Sequence, residues 1–455
     1  MRRTAKRDSF ERVRALLLAA IAASAACATP TALEPERDLG RERPTSGTAA
    51  DSRAIDSRAA ATPHRAPPPI GVVTDLDGIR VLRMAGTPRE MGFQHGKALA
   101  AEIKEGFLEF VLGYRCHGIK ARYAQIQKRL EHEIELPARF LEELDGMVEG
   151  MAASGVDLML PLLKRPLERA DLIALNTIDH WGLFGCSGFT AWGRATDDGG
   201  VLVARNFDFD VDQPAQAIAR LNVVLCFEPD GTHSLASFAF PGLIGVTSGL
   251  SSRGVGAFLH VGNGAFGGGE TGKTRPLLAI ARELLEECEP AEVAPRARDL
   301  LRDARIRNSF LFRLTTPGLD APPTTVFEID PLAIVEQPLP TGDAPPLLHT
   351  TNHFLARDGA FAAIPDSKIR YCTLEECATA GLSQGDGRID PSEAWAALGR
   401  VAQDRGIVTL HSLVWRPRTG ELRLGVSEVV DGHASSATAG RCRSLWLDEL
   451  LADAR

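Results

Sequence analysis

The chain has 455 residues, of which 44% are hydrophobic and 24% charged. Length alone allows about three domains, and the composition is that of an ordinary globular protein, which excludes collagen-like, coiled-coil and multi-span membrane classes. Its 51 Lys and Arg against 59 Asp and Glu give a net charge of -8; residues 1–69 hold 12 cations against 8 acids, leaving 39 against 51 for the rest. So acidic a body repels phosphate backbones and speaks against a nucleic-acid partner. Eight cysteines are too few for a disulfide-built scaffold.

The chain opens with Arg2, Arg3, Lys6, Arg7, Arg12 and Arg14, followed by an uncharged run from Ala15 to Ala26. A basic stretch ahead of about a dozen apolar residues reads as a secretory signal over 1–27, and the run is shorter than the ~18 residues a membrane-spanning helix needs. Export to the periplasm, or to a membrane surface, is the expectation. Ser24-Ala25-Ala26-Cys27 resembles a bacterial lipoprotein box that would lipidate Cys27 and anchor the chain; Ser24 stands where leucine is usual, so simple cleavage after a small residue is the alternative. From Ala28 to Pro69 no aromatic occurs, and Leu33, Leu39 and Ile55 are the only large aliphatics. Such a stretch cannot offset its ordering entropy, which predicts a disordered tether over 28–69.

Globular patterning begins at Ile70, with a strand signal at Ile79–Met84. Thr87-Pro88-Arg89-Glu90 then combines a capping box with proline at the first helical position, so a helix starts at Pro88. Gly92 and Gly96 share one face of it and read as a close helix contact. Further helical patterns over 119–135, 137–153 and 167–179 make residues 70–185 a mostly helical segment.

The texture changes at Cys186. Residues 186–194 read as a strand, Asp197-Asp198-Gly199-Gly200 as a turn and Val201–Phe209 as a returning strand. Strand signals follow at 219–227, 234–240, 254–261, 324–330, 408–416 and 421–428, with helices at 275–288, 291–304 and 388–404. Antiparallel hairpins with few βαβ alternations predict an α+β fold. The hairpin returns Arg205-Asn206-Phe207-Asp208 beside Cys186, bringing a cation and a carboxylate near a thiol that follows Gly185, a residue whose carbonyl can be closely approached. Arg205 and Asp208 fall on opposite faces of an ideal strand, so joint action needs a twist or a strand end.

Here the sequence resembles the N-terminal-nucleophile (Ntn) cysteine hydrolases, specifically the family of the penicillin-forming acyl-CoA:6-aminopenicillanic acid acyltransferase, with bile salt hydrolases as more distant relatives. The resembling pieces are Gly86 with Glu90-Met91-Gly92-Phe93-Gln94-His95-Gly96, Glu143-Leu144-Asp145-Gly146, Gly185-Cys186-Ser187-Gly188-Phe189, Arg205-Asn206-Phe207-Asp208, Thr351-Asn352-His353-Phe354 and Thr409-Leu410-His411-Ser412, in the family's order. The resemblance implies a four-layer αββα sandwich and a precursor that cuts itself between Gly185 and Cys186. A helical segment, 70–185, would stay associated with a catalytic part, 186–455. It further implies Cys186 as nucleophile, with its freed amine, of reference pKa near 7.7–8.0, as general base; Arg205 lowering the thiol pKa; Asp208 holding the amine; and Asn352 in the oxyanion hole. The substrate would be a small acyl amide and no cofactor is implied. Bile salt hydrolases carry a further asparagine near the reacting centre; here Leu259-His260-Val261 lacks it, and Asn263 lies two residues on.

Two rival readings use other residues. Gly267-Gly268-Gly269-Glu270-Thr271-Gly272-Lys273-Thr274 satisfies the phosphate-loop pattern after a strand signal and before a helix, and would make the chain a nucleotide binder. A papain-like pair would join Cys186 to His260, His353 or His411 without any cut. His349 and His353 lack a third clustered ligand, so no metal is expected. Within the Ntn reading, an acyltransferase needs a thioester donor such as acyl-CoA, whereas a hydrolase needs only water; export away from the CoA pool favours hydrolysis.

Overall fold

The computed structural model describes residues 65–180, 184–210, 216–267, 272–319, 321–363, 365–384 and 386–452. The predicted signal sequence with Cys27, and the predicted tether up to residue 64, lie outside the described residues. The chain runs β1 (Val73–Leu76), β2 (Ile79–Gly86), α1 (Pro88–Gly106), a π-helical stretch (Phe107–Arg115), α2 (Lys120–Glu133), α3 (Ala138–Ala153), α4 (Arg169–Leu175), β3 (Phe184–Trp192) and β4 (Val201–Asp210). It continues with α5 (Gln216–Arg220), β5 (Val223–Pro229), β6 (Leu235–Ala239), β7 (Ser248–Ser251), β8 (Gly256–Val261), α6 (Leu277–Glu287), α7 (Pro290–Asp303), β9 (Phe310–Thr315), β10 (Thr324–Ile329) and β11 (Ile334–Glu336). The last elements are β12 (Leu347–Thr350), α8 (Pro365–Gln384), α9 (Pro391–Val401), β13 (Ile407–Trp415), β14 (Glu421–Val426) and β15 (Arg443–Trp446), two-residue strands being left unnumbered.

The start of α1 follows its sequence signal. Glu90 N donates to Thr87 Oγ1 at 3.4 Å while Glu90 Oε2 accepts from Thr87 N at 2.9 Å, so two amides without a helical partner are satisfied by side chains. Gly92 and Gly96 are explained by what lies against them. A Cβ at Gly92 would sit 1.9 Å from Glu143 O, and one at Gly96 2.0 Å from Met147 O. The contact is reciprocal: Gly146 and Gly150 of α3 place the same demand on Arg89 O and Phe93 O, each at 2.1 Å. Backbone thus meets backbone along the α1–α3 seam.

Nine strands form one sheet in the order β1-β2-β5-β6-β7-β8-β9-β10-β11, and a second sheet runs β12-β3-β4-β13-β14-β15 with Asp404–Arg405 paired beside β13. Pairing is antiparallel except between β2 and β5. Alternation along each strand decides the layers. Val203, Leu413, Trp415 and Leu424 of the second sheet form one buried cluster with Val224, Phe238, Leu250 and Phe258 of the first. The far face of the second sheet packs Phe189, Leu202 and Val414 against Leu374 of α8 and Leu398 of α9. The far face of the first packs Leu225, Phe227, Leu259 and Phe312 against Leu99, Leu144, Leu278 and Leu285 of the helices. The result is the αββα sandwich of an α+β fold, as expected.

The segment before Cys186 is helical in the main but also supplies β1 and β2, and β2 pairs along Val81–Gly86 with Val224–Pro229. Helix α8 and strands β7, β9 and β12 have no counterpart in the sequence reading.

Candidate active site

Strands β3 and β4 close through Asp197–Gly200, where Gly199 takes φ +72° and Gly200 N donates to Asp198 Oδ1 at 2.8 Å. Their register sets Gly185 opposite Asp208, Cys186 opposite Phe207 and Gly188 opposite Arg205. Cys186, Phe207 and Arg205 therefore share the face turned to the other sheet. Asp208 and Asn206 share the opposite face, where Asn206 Nδ2 donates to Leu398 O of α9 at 2.9 Å. No twist brings Arg205 and Asp208 to one side; each reaches Cys186 from its own face.

On the inter-sheet side the Cys186 thiol lies 3.5 Å from Leu259 O. The same carbonyl accepts from Arg205 Nη2 at 2.6 Å, and Arg205 Nε donates to Ser248 Oγ at 3.3 Å. Both Cys186 and Arg205 are wholly buried. Burial pushes the thiol up to about 11, and Arg205 is the strongest opposing influence; the buried thiol of the uncut chain is thus protonated at neutral pH. A second guanidinium, Arg313 of β9, reaches across to donate to Ala204 O at 3.0 Å. It fits because residue 188 is glycine: a Cβ there would lie 2.2 Å from Ala204 O and 3.0 Å from Arg313 Nη2.

On the backbone side, β12 pairs with β3 as far as Thr350 opposite Gly188, so continuing two residues places Asn352 beside Cys186. Asn352 Oδ1 accepts from Cys186 N at 2.9 Å, while its Nδ2 donates to Val261 O at 2.8 Å. In the uncut chain Asn352 holds the nitrogen that a cut would free, and an amide proton predicted for an oxyanion is engaged with Val261.

The residue that sequence reasoning missed is Arg370 of α8. Its Nη1 donates to Cys186 O at 2.7 Å, its Nη2 to Asn352 Oδ1 at 2.9 Å and its Nε to Asp366 Oδ2 at 2.7 Å, while Nη1 lies 3.7 Å from Asp208 Oδ2. One guanidinium fixes the carbonyl of Cys186, the amide that holds its nitrogen and the carboxylate behind it. Asp208 Oδ1 accepts from Thr409 Oγ1 at 2.6 Å. Burial pushes the Asp208 pKa up and Arg370 is the main influence holding it down. A Cβ on Gly185 would sit 3.1 Å from Asp208 Cβ and 3.4 Å from its Oδ2, so glycine lets the carboxylate press against the backbone ahead of Cys186.

Other sequence candidates lie elsewhere. Asn263 staples two loops, its Oδ1 accepting from Phe354 N and its Nδ2 donating to Phe361 O, each at 2.8 Å; it does not stand in for a second site asparagine. Neither ring nitrogen of His260 makes a hydrogen bond of good geometry among the described residues, although the ring lies near the backbone of Cys186. His353 Nδ1 pairs with Ser367 Oγ at 2.9 Å, and His411 Nε2 with Ser248 Oγ at 3.0 Å. None of the three imidazoles bonds the thiol.

Residues 268–271 of the phosphate-loop match lie outside the described residues. At the start of the following helix, Leu277 N donates to Asp179 Oδ2 at 2.8 Å. A carboxylate thus occupies the helix end that a phosphate would need. Thr274 Oγ1 is engaged with Ala304 O at 3.3 Å. Among the described residues there is no group of three metal-ligating side chains, the seven described cysteines are free thiols, and no helix is long and apolar enough to cross a membrane.

No family model matches the chain. It is similar to an uncharacterized protein of Archaeoglobus fulgidus, 31% identical over 207 residues, covering 41% of this chain and 34% of that protein. It also matches protein dcd1A of Dictyostelium discoideum, 24% identical over 204 residues, covering 38% of this chain and 43% of that one. The chain thus spans about a third to two-fifths of the length of the curated relatives it matches. Among solved structures, it is similar to an N-acylethanolamine-hydrolyzing acid amidase ortholog from Caenorhabditis elegans, at 17% identity, TM-score 0.38, covering 51% of this chain and 93% of that one. A conjugated bile acid hydrolase variant from Clostridium perfringens gives 12%, 0.40, 59% and 94%, and a penicillin V acylase from Agrobacterium tumefaciens 14%, 0.34, 53% and 83%. Likeness at this level carries no argument about activity, which rests on the site's own geometry.

Proposed function

We propose that the chain is an exported, self-processing Ntn amidohydrolase of the penicillin acyltransferase type, with Cys186 as its nucleophile. The observation that carries this reading is that Cys186 is held at three points. Its N–H is on Asn352 Oδ1, its carbonyl on Arg370 Nη1 and its thiol beside Arg205 at Leu259 O. A structural cysteine needs none of these; a residue that must act with both its sulfur and its nitrogen needs all of them.

In the first step the Cys186 sulfur attacks the Gly185 carbonyl carbon, forming a C–S bond. The Gly185–Cys186 C–N bond then breaks and the thiol proton passes to the leaving nitrogen. Water hydrolyses the thioester, releasing a Gly185 carboxylate and returning the thiol. The new amine stays near Asn352 and acts as base for the thiol beside it, with Arg205 favouring the thiolate. A substrate amide then follows the same course: its acyl group passes to sulfur, its amine leaves with a proton, and water completes the cycle. The Asn352 Nδ2 that donates to Val261 O in the uncut chain would serve the developing oxyanion of a substrate, where one such donor is worth about 3–4 kcal/mol. The segment before the cut stays bound through β2–β5 pairing and the packing of Leu99 and Leu144 against Leu225, Leu259, Leu278 and Leu285.

Hydrolysis is favoured over acyl transfer because a signal-like N-terminus leads away from acyl-CoA, and the same stretch supports a periplasmic or, through lipid on Cys27, membrane-tethered location. A chromogenic N-acyl substrate offered with and without an amine acceptor tests the choice. Free acid should dominate in both; acyl-amine product in excess of acid would make the chain a transferase.

A further inference from the structure

Cys186 is linked to a cavity through three polar side chains. A cavity of about 290 Å³ opens where β5, β6, β13 and β14 approach one another, with Val224, Phe238, Ala239 and Val426 among its apolar walls and His411 in its lining. The His411 ring lies flat on Phe207, centroids 4.9 Å apart and planes 7° apart. Its Nε2 is 3.0 Å from Ser248 Oγ, which also accepts from Arg205 Nε at 3.3 Å. Arg205 in turn shares Leu259 O with the Cys186 thiol.

A guanidinium only donates, so Ser248 Oγ accepts from Arg205. His411 Nε2 is the one acceptor within reach of the Ser248 hydroxyl among the described residues, and we assign the hydroxyl proton to that bond. Burial keeps the imidazole neutral, so in this tautomer its proton sits on Nδ1 of a ring that lines the cavity. The cations at the rim are already paired, Arg80 with Glu102 and Arg220 with Glu105, which leaves no cation dedicated to an anionic ligand. The volume is about twice that of an engineered apolar cavity of roughly 150 Å³ that holds benzene.

We propose that this cavity is a ligand subsite for an uncharged, mainly apolar group of phenylalkyl size that carries one hydrogen-bond acceptor for His411 Nδ1, and that its occupant is coupled to Cys186 through Ser248 and Arg205. The coupling rests on Cys186 being the nucleophile of the processed chain; the subsite itself does not. An acceptor on Nδ1 polarises the imidazole, strengthens its hold on the Ser248 proton and thereby shifts the charge environment of Arg205 beside the thiol. Ser248 and His411 are positioning residues in this scheme, since neither touches the reacting sulfur.

The probes are 2-phenylethanol and ethylbenzene, nearly the same shape with and without an acceptor. The purified full chain is followed by its melting temperature and by the pH dependence of iodoacetamide alkylation at Cys186, located by peptide mass. In the wild type, 2-phenylethanol should raise the melting temperature and move the alkylation midpoint by half a pH unit or more, with ethylbenzene binding at least five-fold more weakly. Filling the cavity in Ala239→Phe, or in Val426→Phe should the first fail to fold, should abolish binding. Ser248→Ala should still bind but lose the midpoint shift. Equal binding of both probes overturns the role of His411, unchanged binding in the filled variants overturns the subsite, and an unmoved midpoint at saturation overturns the coupling. Binding by a chain that stays uncut would keep the subsite while sinking the catalytic reading.

Discussion

Arg370 donates to the carbonyl oxygen of Cys186 at 2.7 Å across 184 residues of sequence. The bond fixes β3 at the point where the backbone is proposed to break, and Nη2 on Asn352 Oδ1 orients the amide that holds the Cys186 nitrogen. A hydrogen bond to a charged group is worth about 1.5–3 kcal/mol. Arg370→Gln should therefore slow appearance of the 186–455 fragment about 10–100-fold while the chain still folds. Arg370→Lys should recover little of this, because an ammonium cannot span two acceptors and a carboxylate in one plane. A time course of fragment formation on denaturing gels checks both; cleavage at the wild-type rate in Arg370→Gln would remove Arg370 from the site.

The α1–α3 seam gives a stability prediction with an internal control. Gly96→Ala forces a Cβ to within 2.0 Å of Met147 O, backbone that cannot swing aside, so the helices must part. The expected cost is about 3 kcal/mol or more. Gly106→Ala, in the same helix, meets only Leu221 Cδ1 at 3.7 Å and should be neutral or stabilising by up to about 1 kcal/mol, since alanine loses less backbone entropy than glycine. Urea midpoints of the two variants make the comparison.

A pH dependence follows from Glu283 of α6, which pairs with Arg275. Burial pushes its pKa up to about 7 from 4.5, opposed by Arg275 and then Arg139, with Glu287 and Glu286 adding to the rise. A carboxyl that binds its proton more tightly when folded makes the native state take up protons on folding between pH 4.5 and 7. Stability from this group is therefore full below pH 4.5 and falls as pH rises through that window, by about 1–3 kcal/mol at 1.36 kcal/mol per pKa unit. Glu283→Gln should flatten this part of the stability–pH curve, and denaturation at pH 5, 6 and 7 would show it. Parallel curves for variant and wild type would refute the assignment.

How much of this was legible in the sequence depended on how local each signal is. The β3–β4 hairpin was readable because Asp197–Gly200 is a turn signal between two apolar runs, and its register followed. The Thr87 capping box and Gly92/Gly96 were readable because caps and close helix contacts leave marks three or four residues apart. Arg370 was not. Helix α8 carries no clear apolar stripe, with Leu374 and Ala378 among its few buried apolar positions, so periodicity gave it no weight; the one local hint, Asp366 and Arg370 four apart, is common on exposed helices. The sequence placed Arg205 and Asp208 on opposite faces, which holds, but it could not show that α8 supplies the cation that Asp208 meets. The use of Asn352 was equally hidden, since which end of its amide faces Cys186 depends on Val261 and Arg370, 91 and 18 residues away in sequence.

The central claim is that the chain severs itself before Cys186, and intact mass with N-terminal sequencing of the purified protein tests it most directly. The account expects two polypeptides in equal amount, the second beginning Cys-Ser-Gly-Phe, with Cys186→Ala remaining a single uncut and inactive chain. A wild-type chain that stays whole yet turns over amide substrates would contradict it.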